Sequence, residues 1–288
     1  MSSLKEEDLI NILPKNGPTV EEVKKYLEKY NDEFIVIKCG GSILVDPNLF
    51  KTFIEDVVVL NKLGFNPIIV HGGGKRINKK LKELNIRSNF INGLRVTDKN
   101  TINIVEDVLI EFNNEIVDAL KNQSCETRGI TSKEHNIISV IPKSEKLGFV
   151  GIPTNIKTNV LKEIIKVNEV PVVAPLGLDK NNQTFNINAD TVAGSIAKEL
   201  NARRLMIISD VEGVLDNRKK LIPEINSQKA KELIDQDIIS GGMIPKINNC
   251  LDVASNGVKG VVIIDGRKNH SILFELLSDK GSGTLIRQ

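Results

Sequence analysis

The sequence predicts an α/β protein: an open, mainly parallel central sheet with helices on both faces, preceded by an N-terminal helical extension. Three observations carry this reading. Short runs of apolar, largely β-branched residues recur along the chain, and longer amphipathic stretches separate them. The runs are continuously apolar rather than alternating, which is how a strand buried on both faces reads. Strand–helix–strand repetition with right-handed crossovers then gives a parallel sheet. The 288 residues are 40% hydrophobic and 26% charged, with 21 Gly and 10 Pro. That is ordinary globular composition and enough chain to bury a core without disulfide or metal staples.

The elements follow in order. Leu4–Leu13 has apolar positions at Leu9, Ile10 and Leu13 and ends at the break Pro14–Pro18. Thr19 and Glu22 then have the spacing of a capping box, and Val20, Val23, Tyr26, Leu27 and Tyr30 share one helical face. Residues 1–32 are therefore expected as a helical extension. The strand candidates are Phe34–Lys38, Pro67–His71, Ile137–Ile141, Pro171–Ala174, Leu205–Ser209 and Gly260–Asp265. Asp46 and Pro47 read as N-cap and first residue of a helix to about Lys62. Asp98 opens another, with Ile102, Val105, Val108, Leu109 and Phe112 at helical spacing, and Asp190 or Asn188 opens a third to about Leu200. A boundary near Asn201 divides one continuous domain, 33–288, into lobes of 33–200 and 201–288.

Several classes are disfavoured. Lys and Arg number 39 against 37 Asp and Glu, so a formal charge of +2 gives no reason to expect a nucleic-acid or anionic-membrane partner. The longest apolar runs, Phe34–Ile37, Val57–Leu60 and Val261–Ile264, fall far short of the ~20 residues of a membrane helix. The N-terminus lacks an apolar signal-peptide segment, and a cytoplasmic protein is expected. Cys39, Cys125 and Cys250, and His71, His135 and His270, are too scattered for a disulfide framework or zinc spacing, so no protein-held metal is expected.

Ligands of open α/β sheets bind at the carboxyl ends of strands. Four such ends carry unusual sequences: Lys38-Cys39-Gly40-Gly41-Ser42, His71-Gly72-Gly73-Gly74, Asn186-Ile187-Asn188-Ala189-Asp190, and Ser209-Asp210-Val211-Glu212-Gly213-Val214. Two glycine clusters let backbone N–H groups approach a phosphate closely, and a helix N-terminus adds a favourable dipole. The lysine is a compact cation suited to a phosphoryl group. There is no G-x-S-x-G nucleophile elbow, no Walker A sequence and no G-x-G-x-x-G after the first strand. An esterase and a dinucleotide-dependent oxidoreductase are thereby disfavoured.

In these residues the chain resembles the amino acid kinase family, and within it the branch that phosphorylates N-acetylglutamate. The matching motifs are IKCGGS (Ile37–Ser42), VHGGG (Val70–Gly74), NGLRVTD (Asn92–Asp98), NINAD (Asn186–Asp190), SDVEGVLD (Ser209–Asp216), GGMIPK (Gly241–Lys246) and the tail IIDGR…GSGTLI. Departures from the family pattern are Cys39, Lys75-Arg76 after the glycines, Thr131–His135, and Val262, where many relatives have a histidine.

The resemblance implies the amino acid kinase fold and transfer of the ATP γ-phosphoryl group to the side-chain carboxylate of N-acetyl-L-glutamate. A carboxylate, with a reference pKa near ~4.3, is already an anion at neutral pH and needs no general base. By the same resemblance Lys38 and Lys246 are catalytic and Asp190 holds them. Gly73, Gly74, Arg95 and Asn186 bind the substrate in the 33–200 lobe. Gly40, Gly41, Ser209, Asp210, Val211, Glu212, Gly213 and Val214 line the site for ATP, whose Mg²⁺ is held mainly by the nucleotide. It also implies a homohexamer, a trimer of dimers, with L-arginine as effector near Glu275 and Gly281. Blander readings stand beside these: a solvated Lys38, Asp190 as a helix cap, Arg95 as a surface ion-pair former, and the N-terminal helix packed on its own subunit. A related kinase acting on an aminoadipate-type substrate or on glutamate is the alternative activity.

Overall fold

A computed structural model of the chain describes residues 4–279 and 281–288. Helices α1 (Glu6–Ile12) and α2 (Val20–Tyr30) precede strand β1 (Phe34–Cys39). A 3₁₀ turn at Gly41–Leu44 leads into α3 (Pro47–Lys62), β2 (Asn66–His71) and α4 (Gly74–Glu83). The hairpin β3 (Phe90–Ile91) and β4 (Leu94–Arg95) is followed by α5 (Lys99–Lys121), β5 (Thr127–Ile130), β6 (Ile138–Pro142) and β7 (Gly151–Ile156). Next come α6 (Thr158–Lys166), β8 (Val170–Val173), β9 (Leu176–Leu178), β10 (Thr184–Asn186) and α7 (Ala189–Glu199). The chain finishes with β11 (Arg204–Ser209), β12 (Glu224–Ile225), α8 (Ser227–Asp235), α9 (Met243–Ser255), β13 (Val261–Asp265), α10 (Ser271–Leu277) and β14 (Gly283–Ile286).

Eight strands form the central sheet in the order β12-β14-β13-β11-β1-β2-β8-β5. Its pairings are parallel except β13 with β14. Successive side chains of a strand point to opposite faces, and here both faces are core. Ile35, Ile37 and Cys39 of β1, with Met206, Ile208, Val262 and Ile264, join the cluster that includes residues of α2, α3, α5 and α10. Val36, Val70, Leu205, Ile207, Val261 and Ile263 join the opposite cluster, with α6, α7, α8 and α9. The expected α/β architecture with helices on both faces is what the chain adopts.

One expected strand lies elsewhere. Ile137–Ile141 is apolar enough for the central sheet, yet β6 belongs to a separate four-stranded sheet ordered β10-β9-β6-β7, where it runs antiparallel to β7. Its outer side chain Ile141 is exposed. The central sheet ends instead in β5, a strand not among the candidates, whose Thr-Arg-Gly-Ile sequence at the sheet edge lacks a continuous apolar run.

Helix starts follow the caps read from sequence. The Asp46 carboxylate accepts from the N–H groups of Asn48 and Leu49, and Asp98 from Asn100 and Thr101. Thr19 and Glu22 form the reciprocal capping box. Within the chain, α2 packs against α10 of its own subunit. Tyr26 Oη donates to Asp279 Oδ1 at 2.7 Å, Val23 and Tyr30 are fully buried, and the Tyr30 ring lies 5.7 Å from Phe65. Leu9 of α1 is buried in the same cluster.

A buried ion pair joins α3 to the start of α10: His270 Nδ1 lies 2.6 Å from Asp56 Oδ1. The hydrogen bond to Asp56 raises the His270 pKa above its usual 6.5 against an opposing effect of burial. Burial pushes the Asp56 carboxyl up to about 6 even with the histidine beside it. A histidine raised in the folded state contributes stability that is complete below its unfolded pKa and lost as pH rises through the folded value. The melting temperature of the wild-type protein should therefore fall as pH rises from about 6.5 through the raised value of His270. Asp56→Asn keeps a neutral partner for the ring but removes the charge, and its melting temperature should stay flat over that window in scanning calorimetry. A parallel fall in both proteins would assign the slope to other groups.

Candidate active site

From β1 the chain moves one way across the sheet to β2, β8 and β5, and the other way to β11 and β13. Loops leaving the carboxyl ends of β1 and β11 therefore diverge, and an open sheet has its crevice at such a switch point. A cleft of about 390 Å³ opens at this end, between the β1 loop, the N-terminus of α4, the β3–β4 hairpin and the segment joining β10 to α7. It gathers Lys38, Gly40, Gly41, Gly73, Gly74, Arg95, Asn186 and Asp190.

Asp190 organises the charged end. Asn188 caps α7 by accepting from Thr191 N at 3.1 Å, so Asp190 is not the cap and its carboxylate is free for other partners. Lys38 Nζ lies 3.0 Å from Oδ1, an ion pair off hydrogen-bond alignment, and Lys246 Nζ lies 3.5 Å from Oδ2. Burial alone would raise the Asp190 pKa. The ammonium groups, Lys38 first, outweigh it and hold the carboxyl below its usual range. Lys38 reaches this point from the end of a central strand, while Lys246 comes from the first turn of α9. Gly194 on α7 allows that approach: a Cβ there would meet Val253 of α9 at 2.8 Å.

The glycines supply backbone donors. Gly73 is the N-cap residue of α4, and among the described residues neither its N–H nor that of Gly74 has a backbone acceptor. A Cβ at Gly40 would sit 2.6 Å from Lys38 Nζ, so the lysine's ammonium lies close over this loop. Gly41 has φ +66°, and a Cβ there would collide with the Asp210 carboxylate.

Arg95 is 7% exposed, and burial lowers its pKa from the usual value. It donates to Ser88 Oγ at 2.8 Å and Asn78 Oδ1 at 2.7 Å, and stacks 4.8 Å from the Phe90 ring centroid. No carboxylate pairs with it among the described residues. A buried guanidinium held by neutral groups is poised for an anionic ligand. The Asn92-Gly93 turn, φ +48° and +76°, sets the hairpin that carries it. Asn186 donates to Thr97 Oγ1 at 3.4 Å nearby.

The remaining expected residues lie outside this cleft. Ser209 ends β11, and its carbonyl accepts from Gly266 N. Asp210 accepts from Ser42 N at 2.7 Å, Glu212 pairs with Lys268 at 3.0 Å, and Val211 is exposed. The Val214 side chain is buried in the core, and its N–H donates to Thr284 Oγ1, an atom that a Cβ on Gly213 would crowd. Glu275 on α10 accepts from Ser282 N at 2.7 Å, with Gly281 beside it at φ +64°. Burial raises the Glu275 pKa. Val262 is fully buried in mid-sheet. The sequence did not single out the Arg95 supports Asn78 and Ser88. The Gly74–Asn78 spacing of one helical turn and the Asn-Gly hairpin signal are what place them there. No group of three or more His, Cys, Asp or Glu side chains clusters as a metal site among the described residues, and no described helix is long and apolar enough to cross a membrane.

A sheet of this topology with two lysines on one aspartate, two glycine loops and an unpaired buried arginine defines a phosphotransferase-type site. The model of the amino acid kinase family matches residues 33–265, and the chain belongs to that family. Within it, the chain groups with the acetylglutamate kinases. It is 81% identical to the acetylglutamate kinase of Pelagibacter ubique over 288 residues, the whole of both chains. It is 43% identical to that of Bradyrhizobium sp. strain ORS 278, covering 93% of this chain and 95% of that one. Among solved structures, N-acetylglutamate synthase from Neisseria gonorrhoeae, complexed with coenzyme A and N-acetyl-glutamate, superposes with a TM-score of 0.84 at 20% identity. That match covers 93% of this chain but only 62% of the synthase, and at this identity it speaks to the fold. The smu.665 structure from Streptococcus mutans matches with a TM-score of 0.71 at 30% identity, over 88% of this chain and 98% of that one.

Proposed function

We propose that the protein is an enzyme that transfers the γ-phosphoryl group of ATP to the side-chain carboxylate of N-acetyl-L-glutamate. The product is N-acetyl-L-glutamyl 5-phosphate, in the second step of arginine biosynthesis. The observation that carries this is the Lys38–Asp190–Lys246 triad facing the glycine loops, in a chain 81% identical to an acetylglutamate kinase.

The reaction joins two anions, so the barrier is repulsion and alignment rather than proton transfer. One carboxylate between two ammonium groups leaves a net positive charge where the phosphoryl group passes. Asp190 sets the spacing of Lys38 and Lys246, so their charge needs no rearrangement as negative charge develops. Gly73 and Gly74 line the same cleft, and their N–H groups would hold the acceptor carboxylate and moving phosphoryl oxygens. The buried Arg95 fork would take the α-carboxylate of the substrate, with Asn186 beside it. Residues 33–200 would carry the acetylglutamate site and 201–288 the ATP site. Gly40, Gly41 and the backbone of Ser209–Val214 would receive the nucleotide. Mg²⁺ would come held by the phosphates and neutralise part of their charge.

A cytoplasmic homohexamer, a trimer of dimers inhibited by L-arginine at Glu275 and Gly281, belongs to the same proposal. Because Leu9, Val23 and Tyr30 complete the core of their own subunit, deleting residues 1–32 would unpack it. Assembly is better tested on the full-length protein. Light scattering should give the mass of six 31.8 kDa chains, and a mass of two would rule out the hexamer.

Two substitutions test the chemistry in a coupled assay of ADP release offered N-acetylglutamate, glutamate and aspartate. Lys38→Ala and Lys246→Ala should each lower kcat by about 10²–10³-fold, the cost of one preorganised charge donor, with KM moving far less. Near-normal kcat in Lys38→Ala would remove that residue from the mechanism. Arg95→Lys should raise KM for N-acetylglutamate by about tenfold or more while leaving KM for ATP alone, because an ammonium cannot reproduce the planar fork. Equal rises for both substrates would indicate a folding defect instead.

A further inference from the structure

Lys75, the first residue after the glycine triplet, is not used by the mechanism above, yet its ammonium lies in the same cleft as Lys38, Gly41 and Asp190. It donates to Ser42 Oγ at 3.1 Å and pairs with Asp210 Oδ2 at 3.2 Å. These three residues belong to three different strand ends. Ser42 follows β1, Asp210 follows β11, and Lys75 follows β2 in the first turn of α4. Since β1 lies between β2 and β11 in the sheet, the Lys75–Asp210 contact passes over the Gly40–Gly41 loop from one side to the other.

The neighbouring Arg76 serves the fold. It donates to Leu44 O at 3.1 Å and to Glu115 at 2.6 Å, and its guanidinium sits 3.9 Å from the Phe112 ring centroid. Lys75 has no such anchorage: its side chain is half exposed, and its only described partners are the two groups at the loop. A lysine on a flexible four-carbon stem can exchange one oxygen for another without moving the backbone. Together, Lys38, Lys246 and Lys75 face Asp190 and Asp210, three ammonium groups against two carboxylates. The surplus positive charge lies where the nucleotide's phosphates would enter.

We propose that Lys75 is a third phosphate-binding cation, which exchanges the Asp210 oxygen for an oxygen of the nucleotide's β–γ phosphate chain over the Gly40–Gly41 loop. This rests on the ATP site proposed above and adds a residue to it. The selectivity follows from position. Lys75 sits at the acceptor side of the loop and meets the segment after β11 only at its first residue, Asp210, so it contacts the distal phosphates and not the nucleoside. A triphosphate gains from it and a monophosphate does not.

Titration calorimetry with AMP-PNP and Mg²⁺, and separately with AMP, tests this on the full-length protein without the phosphoryl acceptor. Lys75→Met removes the charge and keeps the stem; it should bind AMP-PNP about tenfold or more weakly while AMP binding is unchanged. Lys75→Arg should recover most of the lost affinity. In turnover, Lys75→Met should raise KM for ATP and leave KM for N-acetylglutamate alone. Unchanged AMP-PNP affinity in Lys75→Met would overturn the assignment of Lys75. Equal weakening of AMP-PNP and AMP would also overturn it, because a brace on Asp210 would act on the whole nucleotide. A wild-type protein that binds no AMP-PNP would overturn the ATP site itself and Lys75 with it.

Discussion

The Asp190 carboxylate between Lys38 and Lys246 is the interaction on which the site depends. Two ammonium groups brought together without it would repel and would not stay in a partly buried cleft. With it they form a charge cluster that is fixed before any ligand arrives. Each member comes from a different element: a central strand, the helix that follows β10, and a helix packed beside that one. The fold is therefore the source of the geometry, and the close α7–α9 approach at Gly194 is as much part of the site as the lysine.

The sheet supports this by leaving few polar side chains inside it. Along β1, β11 and β13 alternate side chains enter the two cores, so the strands are fixed in register from both sides. A polar residue on such a strand is tolerated only at its end. Lys38 is the one lysine of β1, and it sits where the strand gives way to the glycine loop. Asp265 is likewise the last residue of β13, where Arg267 engages it. Chemistry concentrates at this edge because the interior of the strands has no room for it.

Much of the fold could be read from residues. The continuous apolar runs gave the central strands because burial on both faces removes the alternation that a one-sided strand shows. The caps at Thr19, Asp46 and Asp98 were legible because capping is a local hydrogen bond between neighbours in sequence. The run at Ile137–Ile141 misled, since a short apolar strand reads alike in a central sheet and in a smaller antiparallel one. The edge strand β5 and the small strands β9 and β10 carry too few residues for a pattern to show. The amphipathic face of α2 was visible, but what it covers was not; the buried Tyr30 against Phe65 depends on contacts distant in sequence.

The sequence by itself determined the residue types of the site and its family. Lysine before a glycine pair, a glycine triplet after a strand, and Asn-Ile-Asn-Ala-Asp before a helix are local signatures, since each is set by what one strand end or helix start requires. Tertiary structure alone decided the partnerships. Whether Asp190 caps its helix or holds two lysines depends on Asn188 taking the cap and on α9 arriving from 56 residues away. Whether Arg95 is a surface cation or a buried, unpaired one depends on Ser88, Asn78 and Phe90 enclosing it. Whether Lys75 is a solvated helix charge or reaches across the Gly40–Gly41 loop to Asp210 depends on β2 and β11 flanking β1. Local hydrogen bonding and hydrophobic periodicity are written along the chain, whereas a charge acquires its role from groups that only folding brings within a few ångströms.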